Sequence, residues 1–169
     1  MEKTCGQLTE TGIVKFGLVE PGAPLGDLWP RVYTFLAMAL AHSHQHEWTA
    51  DEIYQRINCG EFLLAVAIRD DEIIGAQVFD TGTNPKGQKY VAIVCSGGRD
   101  MAAWLPGMVA LGKHLATLAG ATSVVILGRR GWARVLRQYG LRVHAVIASA
   151  DVVDIVTPAT VEVISNYRG

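Results

Sequence analysis

Residues 90–100 read Tyr-Val-Ala-Ile-Val-Cys-Ser-Gly-Gly-Arg-Asp, and the elements predicted within and after this stretch indicate the fold class. Its first six residues form a short apolar run that is typical of a strand buried on both faces. Residues 96–100 are rich in glycine and polar side chains and predict a loop. A helix is predicted at about residues 106–118, and a second buried strand at 124–127. Two strands joined through a helix form a parallel pair, so the segment predicts a strand–helix–strand crossover.

Two strands joined by an acidic turn precede this segment. Residues 62–68 and 72–79 are both strongly apolar, and Asp70-Asp71 falls between them. Apolar runs with a short polar connection predict an antiparallel β-hairpin. Residues 81–88 contain Gly, Asn and Pro and predict a further turn. The hairpin therefore continues into the strand at residue 90 as a three-strand meander.

Two helices are predicted between a first strand, within residues 10–19, and this meander. Asp27 stands before an apolar periodic run and is a candidate N-cap, with Pro30 in the first turn. The second helix starts at residues 49–52, Thr-Ala-Asp-Glu. There the Thr hydroxyl and the Glu carboxylate satisfy exposed N–H groups reciprocally, as a capping box. This helix is expected to end just before Gly60.

After the crossover, residues 129–139 predict a helix and residues 141–148 predict a strand. The element order is therefore β-α-α-β-β-β-α-β-α-β. It predicts a mixed α/β (α+β) fold, with a mostly antiparallel central sheet flanked by about four helices. The pattern predicts one domain over residues 1–169, with a core at about 10–150 and a β-rich tail at 151–169.

Composition excludes several classes of protein. The 169 residues are 50% hydrophobic and only 18% charged, with 15 Lys and Arg against 16 Asp and Glu. A disordered chain has low hydrophobicity and high net charge, and a uniformly basic DNA-binding protein has a large positive charge. The composition therefore excludes both classes. No membrane span is expected, because the apolar runs are too short. The amino terminus lacks the basic start and apolar core of a signal peptide, so secretion by that route is not expected.

Cysteine and histidine patterns predict no metal site. The three cysteines are isolated and form no Cys-x-x-Cys pair, which disfavours a disulfide framework or a zinc site and fits a reducing compartment. His42, His44 and His46 form a cluster of a kind that binds transition metals. A spacing of two does not align side chains on one helical face, so solvated histidines are the favoured interpretation.

The near-zero net charge conceals two oppositely charged halves. Residues 1–80 carry 12 acidic and 5 basic side chains, whereas residues 81–169 carry 4 acidic and 10 basic ones. Within the basic half, Arg130, Arg134 and Arg137 recur at helical spacing and line one helix face. This face is either simply solvated or a binding surface for an anionic partner, such as a CoA phosphate or an acidic protein surface. Nucleic acid is the least favoured partner, because no aromatic-interleaved basic groove is present.

Several stretches resemble the GNAT N-acetyltransferase superfamily, and with the element order they cover nearly the whole chain. Residues 72–75 (Glu-Ile-Ile-Gly) resemble the entry to the third strand of that family. Residues 128–132 (Gly-Arg-Arg-Gly-Trp) and 139–141 (Tyr-Gly-Leu) resemble its fourth helix and closing glycine. Three stretches together resemble a GNAT-like group encoded by tailed bacteriophages and prophages: residues 95–99, 104–106 (Trp-Leu-Pro) and 128–132.

The resemblance implies a place for a cofactor. Enzymes of the family bind the pyrophosphate of acetyl-CoA where the helix after the fourth strand begins, since glycines and the helix dipole suit an anion there. Cys95, Gly97, Gly98 and Arg99 occupy that place and are the expected cofactor-binding residues. The glycine spacing departs from the family pattern, and Asp100 adds a negative charge where phosphate would lie. The expectation is therefore no cofactor, or acetyl-CoA if the chain is catalytic.

The acid–base residues that the family uses are not evident. The leaving thiolate is usually protonated by a tyrosine four residues before the closing glycine, and Leu136 stands there. Tyr139 lies one residue before that glycine and is expected to pack. Glu72 and Asp80 flank the third strand and act either through water or, as is favoured, as solvated turn residues. Cys95 is expected to be a buried structural thiol rather than a nucleophile, so no catalytic residue is assigned.

Three functions remain open. The first is a GNAT-fold bacteriophage protein with a degenerate acetyl-CoA site. It would be a non-catalytic structural or assembly protein of the virion, with other phage structural proteins or copies of itself as partners. The second is an acetyl-CoA-dependent N-acetyltransferase acting on a small-molecule or protein amine, and the third is a factor that binds a host protein in the infected cell. The first is favoured, and the expected location is the virion or the host cytoplasm.

Overall fold

The computed structural model describes residues 13–42, 48–126 and 130–142. The strand predicted at 141–148 falls almost entirely outside the described residues, and the tail at 151–169 falls entirely outside them. The described elements, in chain order, are β1 (Lys15–Leu18), α1 (Leu28–Ala41), α2 (Ala50–Asn58), β2 (Leu63–Arg69), β3 (Glu72–Thr83), β4 (Lys89–Gly98), α3 (Met101–Leu118), β5 (Ser123–Ile126) and α4 (Arg130–Arg137).

The strands form a sheet in the order β1-β2-β3-β4-β5. The first three pairings are antiparallel, and β4 pairs with β5 in parallel. The parallel pair is joined through α3, which confirms the predicted crossover. The meander of β2, β3 and β4 is confirmed as well. The fold is therefore mixed α/β with a mostly antiparallel sheet and four helices among the described elements, as the element order predicted.

Helix α2 begins with the predicted capping box, whereas α1 begins without the predicted side-chain cap. The Thr49 N–H donates to Glu52 Oε2 across 2.7 Å, and the Glu52 N–H donates to Thr49 Oγ1 across 3.2 Å. Gly60 follows α2 with a φ of 80°, which glycine adopts without strain. Asp27 precedes α1 as predicted but makes no capping hydrogen bond. Its φ of −70° and ψ of −10° are already helical, whereas a capping side chain needs extended backbone.

Two predicted boundaries between β4 and α3 are wrong. Residues 96–98, predicted to be a loop, continue β4, because β3 is long enough for residues 75–77 to pair with them. Helix α3 begins at Met101, five residues before the predicted start at Pro106. Proline cannot donate the hydrogen bond of a helix interior. The first turns nevertheless form, because they bury Trp104 against the sheet.

Apolar clusters cover both faces of the sheet. Side chains alternate between the faces along each strand, so one sheet contributes to two cores. Helices α1 and α2 cover one face, and the buried side chains there include Val32, Leu36, Ile53, Ile57, Leu64 and Val78. Helices α3 and α4 cover the other face, where they include Phe79, Ile93, Trp104, Met108 and Leu136.

Candidate functional site

Strand β4 changes the direction of its side chains within its length. Val78 of β3 lies opposite Cys95, and Phe79 lies opposite Ile93, so Val94 is an extra residue in β4. An extra residue in one strand of an antiparallel pair is a β-bulge, and it reverses the alternation of side chains beyond it. Ile93 therefore packs on the α3 side of the sheet, and Cys95 packs on the α1 side.

The end of β4 beyond the bulge, with the start of α3, is the candidate site. The described part of β5 pairs with β4 from Tyr90, opposite Ser123, to Ile93, opposite Ile126. Residues 94–98 extend beyond this register, and α3 starts shortly after them. A strand end and a helix N-terminus therefore lie together, which is the arrangement that suits an anionic group.

Two of the expected cofactor-binding residues, Cys95 and Gly97, face α1. The Cys95 thiol donates a hydrogen bond to the Leu36 carbonyl oxygen across 3.6 Å, and burial raises the pKa of this thiol to about 12. A Cβ on Gly97 would lie 2.2 Å from the carbonyl oxygen of Phe35. The backbone of α1 therefore packs directly on this part of β4, and both positions are used for packing.

The other two, Gly98 and Arg99, are held by β3 and α3. The Arg99 N–H donates to the Ile74 carbonyl oxygen across 2.9 Å, and Trp104 Nε1 donates to the Arg99 carbonyl oxygen across 2.9 Å. A Cβ on Gly98 would lie 2.4 Å from the Ile74 carbonyl oxygen, so the close approach of β3 requires a glycine here. Both backbone polar groups of Arg99 are thus bonded within the chain.

Two ion pairs join the residues just before α3 to the hairpin of β2 and β3. The Arg99 guanidinium contacts the Glu72 carboxylate, and Arg69 Nη1 lies 2.6 Å from Asp100 Oδ2. Asp100 stands directly before α3 with a φ of 52°, a left-handed conformation that is uncommon for residues other than glycine. The formal charges of the four side chains cancel. The protein's own side chains therefore neutralise the region around this helix N-terminus.

Gln77 and Ser96 form a polar pair that the sequence patterns did not predict. They lie opposite each other in the β3–β4 ladder. They project to the α3 side, because Gly75 and Gly98, two residues further along each strand, both face Trp104. Gln77 is 1% exposed, and Gln77 Oε1 and Ser96 Oγ have no hydrogen-bond partner among the described residues. The signal in the sequence was a lone glutamine within the apolar stretch of residues 73–79.

The candidates for acid–base chemistry do not form a cluster. Glu72 and Asp80 are separated by roughly 25 Å along β3, and Asp80 Oδ1 accepts a hydrogen bond from the N–H of Thr81. Leu136, where the resemblance places a tyrosine, is 2% exposed in the α3-side core and carries no proton to give. Tyr139 is half-buried and packs against the same core.

Helix α4 is amphipathic, as predicted. Arg134 and Arg137 are exposed, whereas Trp132 and Val135 are half-buried against the α3-side core. The side chain of Arg130 lies outside the described part of the chain. The described arginines therefore present positive charge to solvent, and a partner for this face remains a prediction.

Neither a metal cluster nor a membrane-spanning helix occurs in the described ranges. No group of three His, Cys, Asp or Glu side chains there is placed to hold a metal ion. His42 Nδ1 lies 2.7 Å from the Met38 carbonyl oxygen, and His44 and His46 lie outside these ranges. No helix among the described residues is long and apolar enough to cross a membrane.

Comparison with known proteins finds similarity in structure. No protein-family model matches the chain, and no curated protein matches its sequence. A predicted acetyltransferase with acetyl-CoA from Clostridium acetobutylicum superposes with a TM-score of 0.63 at 10% identity, over 85% of this chain and 99% of that one. An aminoglycoside acetyltransferase from an uncultured soil metagenomic sample superposes with a TM-score of 0.59 at 11% identity, over 82% of this chain and 95% of that one. The chain has the GNAT acetyltransferase fold.

The GNAT fold does not by itself define an activity. A transcriptional regulator from Bacillus halodurans also superposes on this chain, with a TM-score of 0.58 at 17% identity over 80% of this chain and 99% of that one. At such identities the likeness establishes the arrangement of helices and strands. The residues at the β4–α3 junction, rather than the fold, therefore bear on the function of this chain.

Proposed function

We propose that this chain is a non-catalytic GNAT-fold protein with a degenerate acetyl-CoA site, acting as a structural or assembly component of a tailed-bacteriophage virion. The observation that carries the non-catalytic assignment is the pair of ion pairs across the start of α3, Arg99–Glu72 and Arg69–Asp100. The virion assignment rests on the resemblance of three sequence stretches to bacteriophage-encoded proteins.

The side chains at the start of α3 do not suit a pyrophosphate. A helix N-terminus attracts an anion through its positive end and its free N–H groups. Here the Asp100 carboxylate already stands beside the helix N-terminus, and the Arg99 N–H is bonded to Ile74. A phosphate bound at the start of α3 would lie near the carboxylates of Asp100 and Glu72, and like charges that lie close together repel. The two arginines are already engaged with these carboxylates.

The residues expected to bind the cofactor have other uses. Cys95 and Gly97 pack beneath α1, and a Cβ on Gly98 would collide with the backbone of β3. Leu136 stands where a leaving-group acid is expected, and its side chain cannot donate a proton. Both halves of the acetyl-transfer machinery, the anion site and the acid, are therefore replaced by packing and pairing.

Charge on the surface supports a role in protein contacts. The described arginines of α4, Arg134 and Arg137, are exposed on a helix whose opposite side is packed. The first 80 residues are acidic, whereas the remainder is basic. Complementary charge on different parts of one chain favours head-to-tail contact between copies, or contact with an acidic neighbouring protein.

Calorimetry and thermal denaturation of the full chain with acetyl-CoA test the non-catalytic assignment. A ligand that binds only the folded state must raise the midpoint of unfolding. We expect neither heat of binding nor a shift in Tm at millimolar acetyl-CoA. A clear stabilisation at micromolar acetyl-CoA would overturn the assignment.

A matched pair of variants tests whether the carboxylates at the start of α3 prevent the binding of acetyl-CoA. Glu72→Gln with Asp100→Asn removes both carboxylates at the start of α3 and keeps their shape. Asp70→Asn with Asp71→Asn makes the same change of charge at the nearby hairpin turn. If the carboxylates exclude the anion, the first variant acquires weak acetyl-CoA binding and the second does not. Equal behaviour of the two variants counts against this explanation.

The second candidate function is an acetyl-CoA-dependent N-acetyltransferase acting on a small-molecule or protein amine. It is favoured by the structural neighbours named as acetyltransferases, one of which was solved with acetyl-CoA.

Quantitative mass spectrometry of purified bacteriophage particles separates the two candidate functions further. A fixed copy number per particle supports the assembly role, and absence from the particle counts against it.

A further inference from the structure

A cleft lies at the start of β4, at the opposite end of that strand from the candidate site. Its volume is about 320 Å³, near the lower limit for sites that bind small molecules. Because β4 runs through ten residues, the cleft lies roughly 30 Å from the start of α3. The end of β3, the start of β4 and the end of α3 supply the lining residues, which are Thr81, Gly82, Thr83, Lys89, Tyr90 and Ala119. All of them belong to the described ranges.

Contacts within the chain hold the walls of this cleft in place. Gly82 lies opposite Tyr90 in the β3–β4 ladder, and a Cβ on Gly82 would lie 2.3 Å from the Tyr90 ring, so the ring lies across the glycine. The Lys89 carbonyl oxygen accepts hydrogen bonds from the Thr122 N–H across 2.9 Å and from the Thr122 hydroxyl across 3.3 Å. The cleft is therefore formed without a ligand, which lowers the entropic cost of binding one.

Three polar side chains of the cleft share one face of the sheet. Thr81 lies opposite Val91, whose side chain packs in the α3-side core. Thr83 lies opposite Lys89, two positions further along each strand, so these side chains point to the same face. All three polar residues are exposed. Two hydroxyls and an ammonium therefore offer hydrogen-bond donors to the same space beside the end of α3.

The charges around the cleft favour an anion with a single charge. Lys89 belongs to none of the ion pairs found in the described ranges, and none of the lining residues is acidic. Asp80, the nearest acidic residue along the chain, lies opposite Ala92 and therefore faces the α1 side. Ala119 directly follows α3, and the C-terminus of a helix carries partial negative charge that disfavours a second charge on the ligand. One ammonium with two hydroxyls matches one carboxylate.

We propose that this cleft binds a small organic monocarboxylic acid. The Lys89 ammonium pairs with the carboxylate, and the hydroxyls of Thr81 and Thr83 donate hydrogen bonds to the carboxylate oxygens. The organic part of the acid lies against Tyr90 and Ala119. The site uses no residue of the β4–α3 junction, so it is independent of whether the chain binds acetyl-CoA.

Titration of the isotope-labelled full chain with benzoate at neutral pH, followed by NMR, tests this site. We expect saturable shifts of the backbone amides of residues 81–83, 89–90 and 119, with a dissociation constant of about 1–10 mM. Benzamide has the same shape without the charge, and inorganic phosphate carries more charge, so neither is expected to saturate the cleft. No saturation at about 0.1 M benzoate, or shifts centred on the arginines of α4, would overturn the site. Benzamide or phosphate binding as tightly as benzoate would overturn the carboxylate assignment.

Substitutions at two neighbouring lysines identify the group that binds the carboxylate. Lys89→Met removes the ammonium of the cleft, and Lys86→Met makes the same change at an exposed lysine outside it. We expect the dissociation constant for benzoate to rise at least about tenfold in Lys89→Met and to stay unchanged in Lys86→Met. Thr83→Val keeps the shape of the side chain without the hydroxyl and is expected to raise it about fivefold. Unchanged benzoate binding by a Lys89→Met variant whose other amide resonances show it folded would overturn the proposal.

Discussion

The indole Nε1 of Trp104 donates a hydrogen bond to the backbone carbonyl oxygen of Arg99 across 2.9 Å. The same ring covers two glycines, since a Cβ on Gly75 would lie 2.7 Å from it and a Cβ on Gly98 would lie 3.1 Å from it. One side chain of α3 therefore fixes both the end of β4 and the adjoining part of β3. Because the junction is held by packing within the chain, its contribution is measurable in the stability of the protein alone.

Replacing Trp104 by Phe removes the indole hydrogen bond and leaves a void beside Gly75. We expect the free energy of unfolding to fall by about 2–3 kcal/mol, measured by urea denaturation followed by circular dichroism. Met101→Ala, at the exposed first position of α3, is the control and is expected to change it by less than about 0.5 kcal/mol. A Trp104→Phe variant as stable as that control would contradict the role assigned to the ring.

Two glycines predict opposite effects of the same substitution. An alanine Cβ at Gly97 would lie 2.2 Å from the Phe35 carbonyl oxygen, and the backbone of α1 cannot yield without disturbing the core. We expect Gly97→Ala to lower the free energy of unfolding by about 3 kcal/mol. Gly131 lies in α4, and a Cβ added there would meet no described atom within 4 Å, so Gly131→Ala is expected to raise it by about 0.5–1 kcal/mol. Urea denaturation of both variants gives the comparison, and effects of the same sign would refute it.

The capping box of α2 predicts a dependence on pH. Hydrogen bonds from the Thr49 backbone and side chain lower the pKa of Glu52 below its ordinary value. A carboxyl group whose pKa is lower in the folded state stabilises the protein at neutral pH, and this contribution is lost as the pH falls through the folded pKa. Thr49→Ala is expected to cost about 1 kcal/mol at pH 7. Because the Thr49 N–H still donates to Glu52 in that variant, the pH dependence is tested by Glu52→Gln, which removes the ionisable group and is expected to flatten the loss of stability below about pH 4.3.

The measurement for this prediction is the Tm as a function of pH between neutral and strongly acidic solution. Asp51→Asn serves as the control, because Asp51 lies in the same first turn outside the capping box. An acid limb that is as steep in Glu52→Gln as in the unaltered chain would show that the Glu52 carboxylate does not cause it.

The Cys95 thiol is expected to be unreactive in the folded protein. Burial raises its pKa to about 12, so almost no thiolate is present at pH 8. In a Cys5→Ser, Cys59→Ser variant, a thiol reagent should modify Cys95 only after denaturant is added. Because the folded pKa is raised, the associated stability is present below the ordinary thiol pKa of about 8.5 and is lost as the pH rises towards 12. Rapid modification of the native variant at pH 8 would contradict the burial of this thiol.

Local patterns in the sequence predicted most elements of the fold. The apolar runs on either side of Asp70-Asp71 gave the hairpin, and residues 49–52 gave the start of α2. The crossover through α3 followed from the two buried strands on either side of a helical stripe. These features depend on hydrogen bonds and periodicities that span only a few residues, so neighbouring residues suffice to reveal them.

The sequence predicted where the expected cofactor-binding residues lie in the fold but not what surrounds them, and their binding of a cofactor stays a prediction. The resemblance pointed to the β4–α3 junction, and Cys95, Gly97, Gly98 and Arg99 do lie there. Their surroundings depend on partners distant in the chain: Leu36 and Phe35 from α1, and Ile74 and Glu72 from β3. The pairing of Gln77 with Ser96 likewise depends on the register of two strands, which a bulge at Val94 shifts by one residue.

The order of elements, the faces of the helices and the segregation of charge follow from the amino-acid sequence alone, because hydrophobic periodicity and caps are local properties. The neutralisation of charge at the start of α3 and the opposed placement of Gln77 and Ser96 depend on tertiary contacts. The two ion pairs join residues 27 and 31 positions apart, and strand register brings Gln77 opposite Ser96, in ways that no local pattern encodes. The proposed loss of an acetyl-CoA site is supported by these long-range contacts. It is not supported by the fold, which the chain shares with acetyltransferases.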